Sequence, residues 1–313
     1  MKVLDENGLA VLKQYLLAKL PLINPSDWEL STSPGTSTIY KLKEVNNQLL
    51  APAYRQMYAS EDGENWTSTA YGSALNDVCY FKGNYIVART GGAYIGSALD
   101  NLTYSAFFNS TANTCCTDGN VVVVAGDGGG ICYSTDGINF SQATSPVTSD
   151  ISASLYNDGL FILVGRSGTI LTSEDGINWV IRVSNITTGL NDVYHDGNKY
   201  IAVGNNKVIL VSEDGITWTN ITTNLPSTDL QTIYYKDNYY IITANSSTLY
   251  YSKNLTSFNA VSIDKTCYAI TYFKDQLYIA GNGGYVARAN ISDQTATLQE
   301  VVNYLINKIN SLH

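Results

Sequence analysis

An all-β seven-bladed β-propeller, a ring of four-stranded antiparallel sheets, is the fold the sequence predicts, and three observations predict it. A short motif, S-x-D-G followed by two residues and then an aromatic, recurs at Ser60–Trp66, Ser134–Phe140, Ser173–Trp179 and Ser212–Trp218. Weaker copies at Asp100–Tyr104 and Ser252–Phe258 keep the frame, so the closing aromatics fall at 66, 104, 140, 179, 218 and 258. Between them lie short alternating apolar runs rich in Val, Ile and Tyr, broken by Gly, Asn and Asp, the pattern of strands and hairpin turns. Units of four such strands every 36 to 40 residues have the dimensions of propeller blades.

The elements follow in chain order. Residues 5–20 read as a helix that Asp5 or Asn7 can cap, with Leu9, Leu12, Leu16 and Leu20 as its apolar stripe. Pro25–Ser33 reads as a lone fourth strand, because Trp28 stands 38 residues before Trp66. Sets of first, second and third strands then begin near Ile39, Leu75, Asn113, Ile151, Leu190, Leu230 and Cys267. In the unit from Leu190, LNDVYHDG is a strand entering an Asp-Gly turn, KYIAVGN a second strand, KVILVS a third and ITWTNITT a fourth. The last set, ending at Tyr285–Asn290, lacks a fourth strand of its own. The N-terminal strand is expected to supply it, which removes the free sheet edges that invite aggregation. After Asp293, Leu298, Val301, Val302, Leu305, Ile309 and Leu312 follow helical spacing. The expected organisation is residues 1–24 as a helix and linker for attachment, 25–293 as the propeller and 294–313 as a C-terminal helix.

Composition removes several classes. Hydrophobic residues make up 44% of the 313 and charged residues 14%, enough core and too little charge for a disordered chain. Lys and Arg number 18 against 27 Asp and Glu, a net charge of −9, which argues against nucleic acid as a partner. The first residues lack a basic signal region, and no apolar run is long enough to span a membrane, so synthesis in the cytoplasm without membrane insertion is expected. The 24 Tyr against 7 Phe suit half-exposed strands and polar loops. The five Cys (79, 115, 116, 132 and 267) show no ligand spacing and read as buried hydrophobes kept reduced. Neither a metal nor a cofactor is expected: His195 precedes an Asp-Gly turn, and Gly126–Gly130 lacks the Lys and helix of a phosphate loop.

The four good motif copies (Ser60, Asp62, Gly63, Trp66; Ser134, Asp136, Gly137, Phe140; Ser173, Asp175, Gly176, Trp179; Ser212, Asp214, Gly215, Trp218) resemble the Asp-box repeats of bacterial neuraminidase-type propellers, one residue shorter than that signature. The resemblance covers about residues 25–293 and implies that these residues are structural, on the face away from a binding site. The family includes glycosidases, lectins, assembly factors and phage tail proteins, so fold does not settle function. A sialidase-like glycoside hydrolase would need an arginine triad on the substrate carboxylate. Of the five arginines (55, 89, 166, 182 and 288), only Arg89 and Arg166 fall on second-to-third-strand loops. No catalytic residues are assigned, and no enzyme activity is expected.

Binding is the better supported class. Fourth-to-first and second-to-third connections share one face of a propeller, and here both sets are rich in Ser, Thr, Asn and Asp, with Gly allowing close approach. The candidate ligand-binding residues there are Tyr71, Asp77, Arg89, Tyr94, Asp127, Asp150, Arg166, Asp192, Asn205, Asp229, Asn245 and Asn282. They suit a hydroxyl-bearing ligand such as a glycan. Asp77, Asp150, Asp192 and Asp229 recur at the start of first strands and are expected to ring the tunnel mouth, around water or a cation. The run L-D-E-N-G-L-A from Leu4, continuing to Leu20, is similar to the first helix of tail-fibre and baseplate proteins of phages of Gram-positive bacteria. The resemblance implies a virion or tail-like particle, a propeller binding a host-surface glycan, and attachment to other tail or baseplate proteins through the terminal helices, with a trimer as the expected symmetry. An assembly factor, like the seven-bladed photosystem type, is the further alternative.

Overall fold

The computed structural model describes residues 28–289, and the helices expected over 1–24 and 294–313, with the attachment and trimer they imply, lie outside the described residues. Within them the chain is an all-β propeller of antiparallel sheets. Five sheets have four strands. One joins Lys43–Val45, Gln48–Ala53, Gln56–Ser60 and Trp66–Ala70; three more begin at Ile151, Leu190 and Leu230. The last joins Cys267–Phe273, Gln276–Gly281 and Val286–Ala289 to Glu29–Leu30, with Glu29 opposite Arg288 and Leu30 opposite Ala287. This closure is reinforced by Arg288, whose guanidinium donates to the carboxylates of Glu29 and Glu64.

The expected seven blades are corrected to six sheets, because the repeats beginning at Leu75 and Ala112 form one six-stranded sheet. Asn84–Gly96 and Thr103–Thr117 run unbroken. The first half of Asn84–Gly96 pairs with Leu75–Phe81 and its second half with the start of Thr103–Thr117, whose far half pairs with Val122–Gly126. Thr90 pairs with Thr111 where other repeats have open loops, so the bridge welds two repeats together. Packing nevertheless divides the described residues into seven buried hydrophobic clusters, one between each two consecutive repeats. Phe81, Phe161 and Tyr278 are among their largest wholly enclosed side chains. Each such side chain contributes on the order of 2 kcal/mol by leaving water.

Four turns show why S-x-D-G recurs. In the first, the Ser60 hydroxyl donates to Asp62 Oδ1 (3.0 Å) and accepts from Gly63 N (2.8 Å). Asp62 Oδ1 also accepts from Glu64 N and Asn65 N, and Oδ2 from Asn65 Nδ2. Gly63 sits at φ +79°, and a Cβ there would strike the Tyr278 hydroxyl of the preceding repeat. The turns at Asp136, Asp175 and Asp214 repeat the network. The backbone N–H groups of Asn65, Asn139, Asn178 and Thr217, aimed at these carboxylates, hold them below the ordinary carboxylate value. In the copy at Ser252, Asn254 takes the place of Asp, and Leu255 takes the positive φ (+64°) that Gly adopts elsewhere.

Candidate functional site: channel and two faces

First and third strands end on the same side of the ring, so the S-x-D-G turns and the first-to-second-strand hairpins share one face, the turn face. Lys82 in such a hairpin donates to the carbonyl of Thr135 in the next repeat's S-x-D-G turn (2.8 Å), which ties the two sets together. The remaining connections form the opposite loop face.

The loop face holds most of the sequence-predicted residues, and their polar groups are engaged within their own repeats or with neighbouring ones. Asp150 accepts from Gly128 N (2.9 Å) and pairs with Arg166 Nε (3.0 Å). Asp229 accepts from Asn206 N (3.0 Å), and its carbonyl accepts from Asn245 N. Asp127 accepts from Asn113 Nδ2, Asn205 Oδ1 from Asn191 Nδ2, and Asn282 Oδ1 from the Thr38 hydroxyl at 3.5 Å. These groups latch loops and do not converge on one point. A true cluster forms only around Arg89, whose guanidinium lies over Tyr104 (4.2 Å) and Tyr94 (5.1 Å), with Tyr71 against Tyr94 (4.8 Å). Tyr71 donates to the carbonyl of Leu99.

The expected ring of Asp77, Asp150, Asp192 and Asp229 is corrected to two separate pairs. A bulge after Leu75 and after Leu190 shifts the register, placing Asp77 and Asp192 opposite Ala88 and Val203, inside the channel wall. Asp150 and Asp229 precede their first strands and stay in the loops. Asp77 accepts from Val78 N, the Thr114 hydroxyl and Cys115 N, and pairs with Lys43 Nζ at 2.6 Å. Asp192 accepts in the same way from Ile233 N of the next repeat (3.1 Å) but has no ion pair among the described residues. Burial favours a protonated Asp77, but the Lys43 and Lys41 charges and its hydrogen bonds bring its carboxyl below the ordinary value. At Asp192 desolvation wins, and its carboxyl is raised.

Sequence reasoning missed a third set. Asn76, Asn113 and Asn191 each donate Nδ2 to the carbonyl of the next repeat's first strand, on Ala112, Ile151 and Leu230 (2.8, 2.9 and 2.8 Å). The signal was the shared Asn of L-N-D, A-N-T and L-N-D in one frame. These bonds and those of Asp77 and Asp192 satisfy the innermost strand edges, which would otherwise bare unpaired backbone groups to the channel.

The channel opens on the turn face into a cavity of about 540 Å³ lined by Lys43, Glu44, Tyr80, Tyr156, Tyr234 and Tyr272. Behind it is a chamber of about 200 Å³ that holds two basic and two acidic side chains, Lys41, Lys43, Asp77 and Asp192. Around the mouth the face is acidic. Its S-x-D-G turns carry Glu61 with Asp62, Asp136, Glu174 with Asp175, and Glu213 with Asp214; its hairpins add Asp118, Asp158, Asp196, Asp237 and Asp275. The lysines of this face are folded back: Lys82 onto Thr135 as above, Lys199 over Tyr240, Lys236 over Tyr272, Lys253 over Tyr239 and Lys274 over Phe273.

All five cysteines are free thiols in buried positions. Burial pushes Cys132 up to about 11 and Cys116 and Cys267 up to about 12, which makes poor nucleophiles of them. No three His, Cys, Asp or Glu side chains gather as a metal site among the described residues.

No family model matches the chain, and no curated protein matches it in sequence. Among solved structures it is similar to YCF48 from Cyanidioschyzon merolae, at 12% identity over 84% of this chain and 99% of that one, with a TM-score of 0.67. It is similar to YCF48 bound to D1 peptide at 14% identity, over 84% and 95% of the two chains, with a TM-score of 0.68. It is also similar to U3-55K at 7% identity, over 85% and 99%, with a TM-score of 0.67. At such identities the likeness is one of fold, and by fold the chain is a β-propeller.

Proposed function

We propose that this chain is a non-enzymatic binding propeller that docks an extended segment of a partner protein at the channel mouth, a scaffolding or assembly role. The observation that carries the reading is the 540 Å³ cavity on the ring axis, concave and lined by several aromatic side chains, the Glu44 carboxylate and, at its floor, Lys43 paired with Asp77. The polar residues of the loop face, by contrast, are engaged with one another, within repeats and between them. A similar propeller described as bound to D1 peptide agrees with a peptide as the class of ligand. The absence of a role in catalysis rests on the same assignments: the acids and bases singled out in the sequence act as latches, turn acceptors or channel-wall caps.

A second reading, a tail or baseplate protein of a phage that binds a host-surface glycan, is favoured by one observation, the Arg89, Tyr71, Tyr94 and Tyr104 cluster on the loop face. Stacked tyrosines beside a guanidinium offer the planar surfaces and donors on which sugar rings lie. Seven repeats packed as a ring and the Asp-box resemblance serve either reading.

Purified protein, presented in parallel to immobilised extended peptides of varied charge and to bacterial-surface glycans, should retain peptides. It should leave a fluorogenic sialoside intact. Retention of glycans alone, lost on Arg89→Ala, would replace the first reading by the second; turnover of the sialoside would overturn both.

A further inference from the structure

Resting on that reading, we infer that the partner segment is basic, and that one of its arginine or lysine side chains enters the mouth between Glu44, Tyr80 and Tyr156. Three independent features meet there. The cavity, at about 540 Å³, has room for a long side chain and opens on the ring axis. Its walls are tyrosine faces, which attract a cation through the ring quadrupole. This face already demonstrates the chemistry, since the ammonium of Lys236 lies 4.3 Å from the centre of the Tyr272 ring. Among the described residues no lysine or arginine lies over Tyr80 or Tyr156, so those rings stay open to a cation from outside.

Charge sets the direction and the depth of entry. On the face that holds the mouth, the carboxylates of the S-x-D-G turns and hairpins outnumber the lysines, so its field is negative. A cleft lined by one sign of charge gathers oppositely charged partners and raises their association rate. Deeper in, the Lys43–Asp77 pair, at 2.6 Å, closes the floor, and Lys41 and Asp192 lie in the inner chamber behind it. A cationic side chain therefore gains at the mouth and has no reason to pass Lys43. On the loop face Arg55, Arg89, Arg166, Lys207 and Lys265 stand against Asp127, Asp150, Asp229 and Asp264, and no comparable attraction exists.

The test is fluorescence anisotropy with three labelled peptides built on one frame: four repeats of Arg-Gly-Ser, of Gln-Gly-Ser and of Glu-Gly-Ser. The arginine peptide should bind best, weaken as salt screens the exposed carboxylates, and lose about tenfold in affinity with Glu44→Gln and again with Tyr156→Ala. Arg166→Ala, on the loop face, should leave binding unchanged, and unaltered circular dichroism of each variant excludes misfolding as the cause. Glu44 is exposed, so its variant tests the inference even where Tyr156→Ala disturbs packing. Equal binding of the glutamine and arginine peptides, or mouth variants that bind like the parent, overturns the inference and leaves the peptide-binding reading standing. Failure of all three peptides to bind overturns this inference, and the peptide panel of the preceding section then decides the broader reading by itself.

Discussion

Asp77→Asn should cost the ring about 3 kcal/mol of stability, whereas Asp192→Asn, at the same register in another repeat, should change it by less than about 1 kcal/mol. The two carboxylates cap the same kind of edge, each accepting from a backbone N–H of the following repeat, so geometry alone would predict equal effects. The difference lies in charge. Removing the Asp77 charge strands Lys43, which sits 2.6 Å away and whose side chain is 33% exposed. That exposure keeps the expected cost at the low end of the range for broken buried pairs. Desolvation in the fold disfavours the charged form of Asp192, so a neutral isostere relieves a penalty while keeping an acceptor for Ile233 N.

The pH dependence runs in opposite senses. The carboxyl of Asp77 is depressed in the fold, so its contribution is full above the ordinary value and is lost as pH falls below about 4. The carboxyl of Asp192 is raised, so its penalty is present at neutral pH and vanishes below that same ordinary value. Thermal unfolding of the parent and both variants at neutral pH and at about pH 3 checks this. The gap between parent and Asp77→Asn should narrow on acidification, and equal destabilisation by the two variants at neutral pH would refute the assignment.

Gly165→Ala should be comparably damaging, about 3 kcal/mol, although its φ of −170° is open to any residue. The obstacle is proximity. A Cβ at Gly165 would lie 2.1 Å from the carbonyl oxygen of Asp150, and Gly126, Gly204 and Gly281 meet Thr111, Gly189 and Thr266 in the same way. Each of these glycines pairs with the first residue of a bulged first strand, where the backbones press together. The obstructing atom is backbone, held by the Arg166 N to Asp150 O bond, so it cannot swing aside as a side chain would. Denaturant unfolding should show a lower midpoint with an unchanged slope. Gly159→Ala serves as the contrast: it is strained in φ but meets nothing within 4 Å, and it should cost only about 1 kcal/mol. A Gly165→Ala midpoint equal to that of Gly159→Ala would refute the close-approach account.

Strands, turns and the repeat were legible because they rest on local chemistry: alternation, turn glycines and a recurrent Ser-Asp pair each leave a mark within a few residues. The fusion of two repeats into one sheet was not, because it depends on the pairing of Thr90 with Thr111 across a connection whose residues look like ordinary loop. The aspartates misled for a similar reason. Asp77 and Asp150 both stand near the start of a first strand, yet Asp77 lies two residues inside its strand, past the bulge, and Asp150 one residue before its own, which separates a channel-wall cap from a loop latch. The loop face drew attention by its polar composition, and the structure shows those polar groups engaged with one another. The tyrosines of the channel mouth gave no warning: Tyr80, Tyr156 and Tyr272 read as strand aromatics, and only ring closure brings them around one cavity.

That a basic extended segment binds on the turn face is tested most directly by hydrogen exchange of the protein with and without the arginine peptide. The account predicts slowed exchange in the hairpins around Asn46, Lys82, Gly119 and Gly159, with the loops at Gly128, Ser167 and Asn206 unaffected. Protection confined to those loops, with the hairpins unchanged, would contradict it.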